Sequence, residues 1–139
     1  MTSPPLPFFV YGTLRPGEPH HARYLRGRTH ATEPARLTGA VLYDGPGYPY
    51  AVAAPTGVVH GDLITALPTA YGRLLAELDE LEEYVPDDPR SRYERVARDV
   101  HRADGTTARA WVYLAAPPVA AGLRTAGVRI AAGDWLTRG

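Results

Sequence analysis

Five carboxylates crowd the stretch Glu77, Asp79, Glu80, Glu82 and Glu83. They fall on the one segment with strong helical periodicity, from about Ala70 to Tyr84. There Tyr71, Leu74, Leu75, Leu78 and Leu81 recur at three- and four-residue spacing. An acidic run of this kind is ordinarily a solvated helix face. At about 100 degrees per residue, with Leu78 as the centre of the stripe, the other four apolar residues lie within roughly 60 degrees and Glu82 lies at about 40. Glu80 and Glu83 lie far outside the stripe, and Glu77 and Asp79 at its margins. Glu82 alone turns with the apolar residues. An ionised carboxylate there costs several kcal/mol unless it is paired or hydrogen-bonded, and otherwise its pKa rises and it takes up a proton. Such a group suits general acid/base chemistry near neutral pH. A structural pair with an arginine and a fraying helix end are the competing readings.

A second candidate is the run Tyr11-Gly12-Thr13-Leu14-Arg15-Pro16-Gly17 after a short apolar strand. Its glycines allow a sharp turn whose amides converge as a nest for a carboxylate or an oxyanion. An ordinary strand-ending turn has the same composition. The five histidines show no paired metal-ligand spacing and there is no cysteine, so no metal site is expected. Arg26 and Arg28 near His30 read as solvated surface. Tyr48, Tyr50, Tyr93 and Tyr113 lie on or beside strands and read as core residues with hydroxyls at the rim.

Absences narrow the chemistry further. The chain has no Cys, Lys, Asn or Gln, and its only serines are Ser3 and Ser91. Thiol nucleophiles, Schiff bases and disulfides are therefore excluded. Neither serine sits on a glycine-flanked strand-to-helix elbow, which argues against a triad hydrolase. Fifteen basic residues balance fifteen acidic ones, so no general attraction to nucleic acid or membrane is expected.

These residues need elements to position them. The length of 139 residues suits one domain, 1–139, with residues 1–6 as a flexible tail. Met1 to Val10 lacks a basic head and a long apolar run, so it reads as neither signal nor membrane span, and a soluble cytoplasmic protein is expected. Fourteen glycines and fourteen prolines point to turns and short strands rather than a helical bundle. Strands are expected at Phe8–Tyr11 and Leu37–Leu42. Two more, Tyr48–Val52 and Val58–Ala66, form a hairpin about Pro55-Thr56-Gly57. The clearest hairpin joins Tyr93–His101 to Ala108–Leu114 through Asp104-Gly105, a pair suited to positive φ angles. Short helix is expected over His20–Leu25, the main helix is capped by Thr69, and Ala115–Ala121 reads as loop. The sum is an α+β domain with one main helix on a mixed or barrel-like sheet. Oligomeric state is open between monomer and homodimer.

Taken in order, Phe9-Val10-Tyr11-Gly12-Thr13-Leu14-Arg15, Gly47-Tyr48-Pro49, Gly61-Asp62-Leu63, Leu78-Asp79-Glu80-Leu81-Glu82, Tyr93-Glu94-Arg95 and Ala110-Trp111-Val112-Tyr113 resemble the gamma-glutamylcyclotransferase-like family, which includes the AIG2-like proteins and gamma-glutamylamine cyclotransferases. The resemblance spans about Phe8 to Tyr113. It implies a small mixed β-barrel flanked by helices, with Glu82 as the catalytic acid/base and no cofactor. The implied reaction is attack by the substrate's α-amino group on its own γ-carbonyl, releasing 5-oxoproline and an amine. Tyr11, Gly12, Thr13 and Leu14 would bind the glutamyl part, Tyr11, Tyr93 and Tyr113 would line the pocket and orient Glu82, and Arg15 is a further candidate for the carboxylate. Many members carry glycine after the catalytic glutamate, where this chain has Glu83. Two alternatives stand beside this reading: the same chemistry on a gamma-glutamylated natural-product intermediate, and a non-catalytic module that binds a small carboxylate.

Overall fold

The computed structural model describes residues 5–137. Its elements run β1 (Phe8–Val10), α1 (Pro19–Tyr24), β2 (Thr29–Tyr43), β3 (Tyr50–Ala66), α2 (Tyr71–Leu81), β4 (Tyr93–Arg102), β5 (Thr107–Ala115), α3 (Pro117–Ala126) and β6 (Arg129–Ile130), then a 3-10 turn at Trp135–Thr137. Strand β1 lies antiparallel to β3 and parallel to β5, β5 pairs with β4, β4 with β2, and β2 returns to β3. Five strands thus close a mixed barrel, with β6 added to β2. This is the expected fold class.

Period-two alternation divides the core into two layers. Phe9, Ala110, Val112, Leu114, Val59 and Leu63 fill one cluster inside the barrel. Their neighbours Phe8, Val10, Tyr113, Ala115 and Ile64 face outward, where Leu74 and Leu78 of α2, Leu25 after α1 and Ala120 of α3 cover them. Strand β1 is only three residues long, yet it is buried on both faces.

Several elements depart from expectation. Tyr50–Ala66 is one strand and not a hairpin, because Pro55-Thr56-Gly57 lies in a bulge. Across it the partners of β2 jump from Thr38↔Val58 to Ala40↔Ala53. The hairpin instead joins β2 to β3 through residues 44–49. Helix α3 occupies the segment expected as loop, because prolines in a first helical turn lack only amides that need no partner there. Helix α2 ends at Leu81, and Ala70 takes the N-cap position without a side-chain bond from Thr69. In the β4–β5 hairpin only Gly105 has positive φ, at 88°, and its amide donates to the Arg102 carbonyl at 3.0 Å, so the loop is a turn followed by a left-handed glycine. Of the expected tail, residues 1–4 lie outside the described residues, while the Leu6 amide donates to the Tyr71 hydroxyl at 3.1 Å. Among the described residues, no helix is long and apolar enough to cross a membrane.

Candidate active site

Beyond β1 the chain turns at once. The Arg15 amide donates to the Gly12 carbonyl at 3.0 Å and the His20 amide to the Thr13 carbonyl at 3.0 Å. The amides of Gly12, Thr13 and Leu14 find no acceptor among the described residues. These three residues line a cavity of about 300 Å³ between this turn, the end of α2 and the start of β3. Gly12 is required by close approach: a Cβ there would sit 2.7 Å from the ring of Pro49. The Pro49 carbonyl accepts a hydrogen bond from the Tyr93 hydroxyl at 2.8 Å, which joins the Gly47-Tyr48-Pro49 segment to β4.

Glu82 occupies the C-cap of α2. The Tyr84 amide donates to the Asp79 carbonyl at 2.9 Å and the Glu83 amide to the Glu80 carbonyl at 3.1 Å, the paired bonds of a Schellman motif. Glu83 therefore holds the left-handed position, with φ of 54°. Glycine adopts that conformation without steric cost, whereas Glu83 adopts it against one. The cap fixes Glu82 toward the cavity and turns Glu83 out to its mouth. As a whole residue Glu82 is part-buried, but its carboxyl is desolvated. That burial, and secondarily the Glu83 charge, pushes its pKa up from 4.5 to about 7.

Seven of the eight expected site residues line the cavity together: Tyr11, Gly12, Thr13, Leu14, Glu82, Tyr93 and Tyr113. Their hydroxyl bonds differ from expectation. None of the three tyrosines bonds Glu82. Tyr11 donates to the Tyr113 carbonyl, Tyr93 to Pro49, and Tyr113 to Asp79 Oδ1 at 2.6 Å. Burial first, with the nearby negative charge of Glu82 as a lesser cause, raises all three phenols far above their ordinary range, so they remain neutral.

Arg15 is the exception. Its guanidinium points away from the cavity, Nε at 2.8 Å from Asp62 Oδ2 and Nη1 at 2.8 Å from Asp134 Oδ1. Buried between two carboxylates, it has no charge to spare for a substrate carboxylate and instead braces the turn. Sequence reasoning also passed over Asp79, set at the helix margin as a solvated acid. It accepts from Tyr113 and from Arg95 Nε at 2.8 Å, and so docks α2 onto β4 and β5. His20, bonded to the Thr13 hydroxyl at 3.0 Å, and Arg92 complete the wall. Neither stands in a spacing that marks it in the sequence.

The sequence model of a family described as gamma-glutamyl cyclotransferase, AIG2-like, matches residues 8–137. The chain belongs to this family. The gamma-L-glutamyl-butirosin B gamma-glutamyl cyclotransferase of Niallia circulans is 34% identical over 107 residues, covering 76% of this chain and 64% of that protein. The chain thus spans just under two thirds of that relative's length. Among solved structures, protein ytfP from Escherichia coli is 26% identical with a TM-score of 0.62, covering 96% of this chain and 98% of that one. A mouse AIG2-like protein, 23% identical with a TM-score of 0.60, covers 81% of this chain and 80% of its own and shares the AIG2-like fold.

Proposed function

We propose that the chain is a gamma-glutamyl cyclotransferase that releases 5-oxoproline and a free amine from a small gamma-glutamyl amide in the cytoplasm, with Glu82 as the single acid/base. The observation that carries this reading is one cavity holding both an elevated carboxyl and three unengaged amides. The amides of Gly12, Thr13 and Leu14 bind the substrate's α-carboxylate, since Arg15 is committed to Asp62 and Asp134. The glutamyl chain then folds so that its α-nitrogen meets the γ-carbonyl. Glu82, ionised, removes a proton from the α-ammonium. The α-nitrogen then attacks the γ-carbonyl and closes the five-membered ring, Glu82 gives its proton to the departing nitrogen as the original amide C–N bond breaks, and the second proton on the ring nitrogen passes through Glu82 to the freed amine, leaving a neutral lactam and an ammonium. No side-chain nucleophile is needed, which suits a chain without cysteine or lysine.

Replacing Glu82 by Gln keeps shape and removes the proton carrier. The expected loss of turnover is about 10²- to 10⁴-fold, with the fold intact by circular dichroism and substrate binding retained by calorimetry. Retained activity, or an equal loss from Glu83→Gln alone, sinks the assignment.

A second reading keeps this chemistry and enlarges the leaving group, supported by the Niallia circulans relative, named as a cyclotransferase of gamma-L-glutamyl-butirosin B. Release of 5-oxoproline from a panel running from gamma-glutamyl dipeptides to bulky gamma-glutamyl amines separates the two.

A further inference from the structure

Two adjacent histidines of α1, His20 and His21, hold the turn that follows β1, and the ring closure uses neither. In a trans peptide the C=O and N–H point opposite ways, so a held carbonyl aims the amide across the same bond. The Gly12 carbonyl is held by the Arg15 amide and the Thr13 carbonyl by the His20 amide, both at 3.0 Å. The amides of Thr13 and Leu14 are thereby aimed the other way. The Leu14 carbonyl accepts from His21 Nδ1 at 2.9 Å, and since a carbonyl only accepts, that ring carries its hydrogen on Nδ1. The His20 ring meets a hydroxyl instead. Its Nδ1 lies 3.0 Å from Thr13 Oγ1, and both residues line the cavity. The Tyr24 ring stands at 90° to the imidazole, with centroids 5.9 Å apart. Among the described residues the Thr13 hydroxyl has no other partner.

A hydroxyl has a single hydrogen to give. If Nδ1 is bare, the Thr13 hydroxyl donates to the ring and has no hydrogen left for a ligand. If Nδ1 carries the hydrogen, the ring donates to Oγ1 and the hydroxyl turns its own hydrogen to a second acceptor. A carboxylate offers about four acceptor positions, and the amides of Gly12, Thr13 and Leu14 supply three donors.

We infer that His20 is a positioning residue for recognition of the substrate's α-carboxylate: its Nδ1–H donates to the Thr13 hydroxyl, and the hydroxyl donates the fourth hydrogen bond to the carboxylate. This rests on the cyclotransferase reading above. The arrangement also sets specificity. A carboxamide in place of the α-carboxylate brings N–H donors to a site made of donors, and loses the charge that strengthens each bond.

The test measures kcat and KM of the full chain for gamma-glutamylalanine and for gamma-glutamylbenzylamide, each beside its counterpart with the α-carboxylate replaced by a carboxamide. His20→Leu and Thr13→Val are each expected to raise KM for the carboxylate substrates by about tenfold, the scale of one hydrogen bond to a charged group, and to lower kcat far less. The preference for carboxylate over carboxamide, read as a ratio of kcat/KM, falls by the same factor. The double variant loses no more than either single one, because both remove the same bond. Thr13→Ser keeps the hydroxyl, and His20→Asn places an amide nitrogen near the position of Nδ1, so both recover most of the preference. A contact that only held the fold would lower turnover of both members of each pair alike. An unchanged ratio in His20→Leu, or additive losses in the double variant, overturns the inference alone. Turnover of no gamma-glutamyl amide, in these pairs or in the panel above, overturns the cyclotransferase reading and the inference with it.

Discussion

Two adjacent glutamates follow the last residue of α2, one set into the cavity and one exposed at its mouth. In the proposed role of base, Glu82 must be ionised in the free enzyme, so kcat/KM is expected to rise with pH along a limb centred at about 7. Glu83→Gln removes a like charge beside it and moves that limb to lower pH, which a pH–rate profile on a neutral amide reads directly. The same shift bears on stability. The folded chain holds the Glu82 proton to higher pH than the unfolded chain does, so the stabilisation present below about pH 4.5 is lost as pH rises through about 7. Urea denaturation should show Glu82→Gln gaining up to about 3 kcal/mol on the native protein between those limits. Glu82 was legible in the sequence because helical phase alone set it among leucines. Arg15 was misread for the opposite reason: its two partners, Asp62 and Asp134, lie 47 and 119 residues away in the chain. No local pattern announces them.

The helix α2 aims Glu82 only if it is docked correctly, and Asp79 docks it. Its carboxylate joins Tyr113 on β5 to Arg95 on β4, with both charged side chains mostly buried, 16% and 19% exposed for Arg95 and Asp79. Asp79→Ala leaves a guanidinium and a hydroxyl without their acceptor. It is expected to cost about 1–3 kcal/mol, seen as a lower urea midpoint, and to lower kcat as the helix end shifts. Asp79→Glu should recover stability better than kcat, since the longer side chain displaces the cap. Boundaries at this scale were harder to read. Pro55-Thr56-Gly57 has the composition of a reversal, and only the register with β2 makes it a bulge. The Pro117-Pro118 pair looked like a breaker, and only its place in the first helical turn makes it a start.

Across the whole molecule, the C-terminal segment holds the turn that follows β1. Asp134 pairs with Arg15, the Trp135 indole donates to Glu18 Oε1 at 3.1 Å, and the His60 amide donates to the Gly133 carbonyl at 2.7 Å. The turn of Gly12, Thr13 and Leu14 is thus gripped from behind by β3 and by the last described residues together. Asp134→Asn leaves Arg15 its bond to Asp62 but loosens the outer grip. The expected result is a rise in KM larger than the fall in kcat, because in this mechanism the amides only bind; a fall confined to kcat would instead assign them to the oxyanion. The barrel that sets these parts in place was readable as a fold class from its alternating runs. Its closure came from the resemblance and not from those runs, because it depends on the parallel pairing of Phe8 with Trp111, residues far apart in the chain.

Trp111 lies where helix and barrel meet, its indole donating to the Tyr71 hydroxyl at 2.9 Å and Arg95 stacked over its ring at 4.3 Å. The chain has one other tryptophan, Trp135. With Trp135→Phe, the remaining emission comes from a fluorophore gripped by the first residue of α2 and capped by the arginine that pairs with Asp79. Movement of α2 is thereby recorded optically, in real time and without a label.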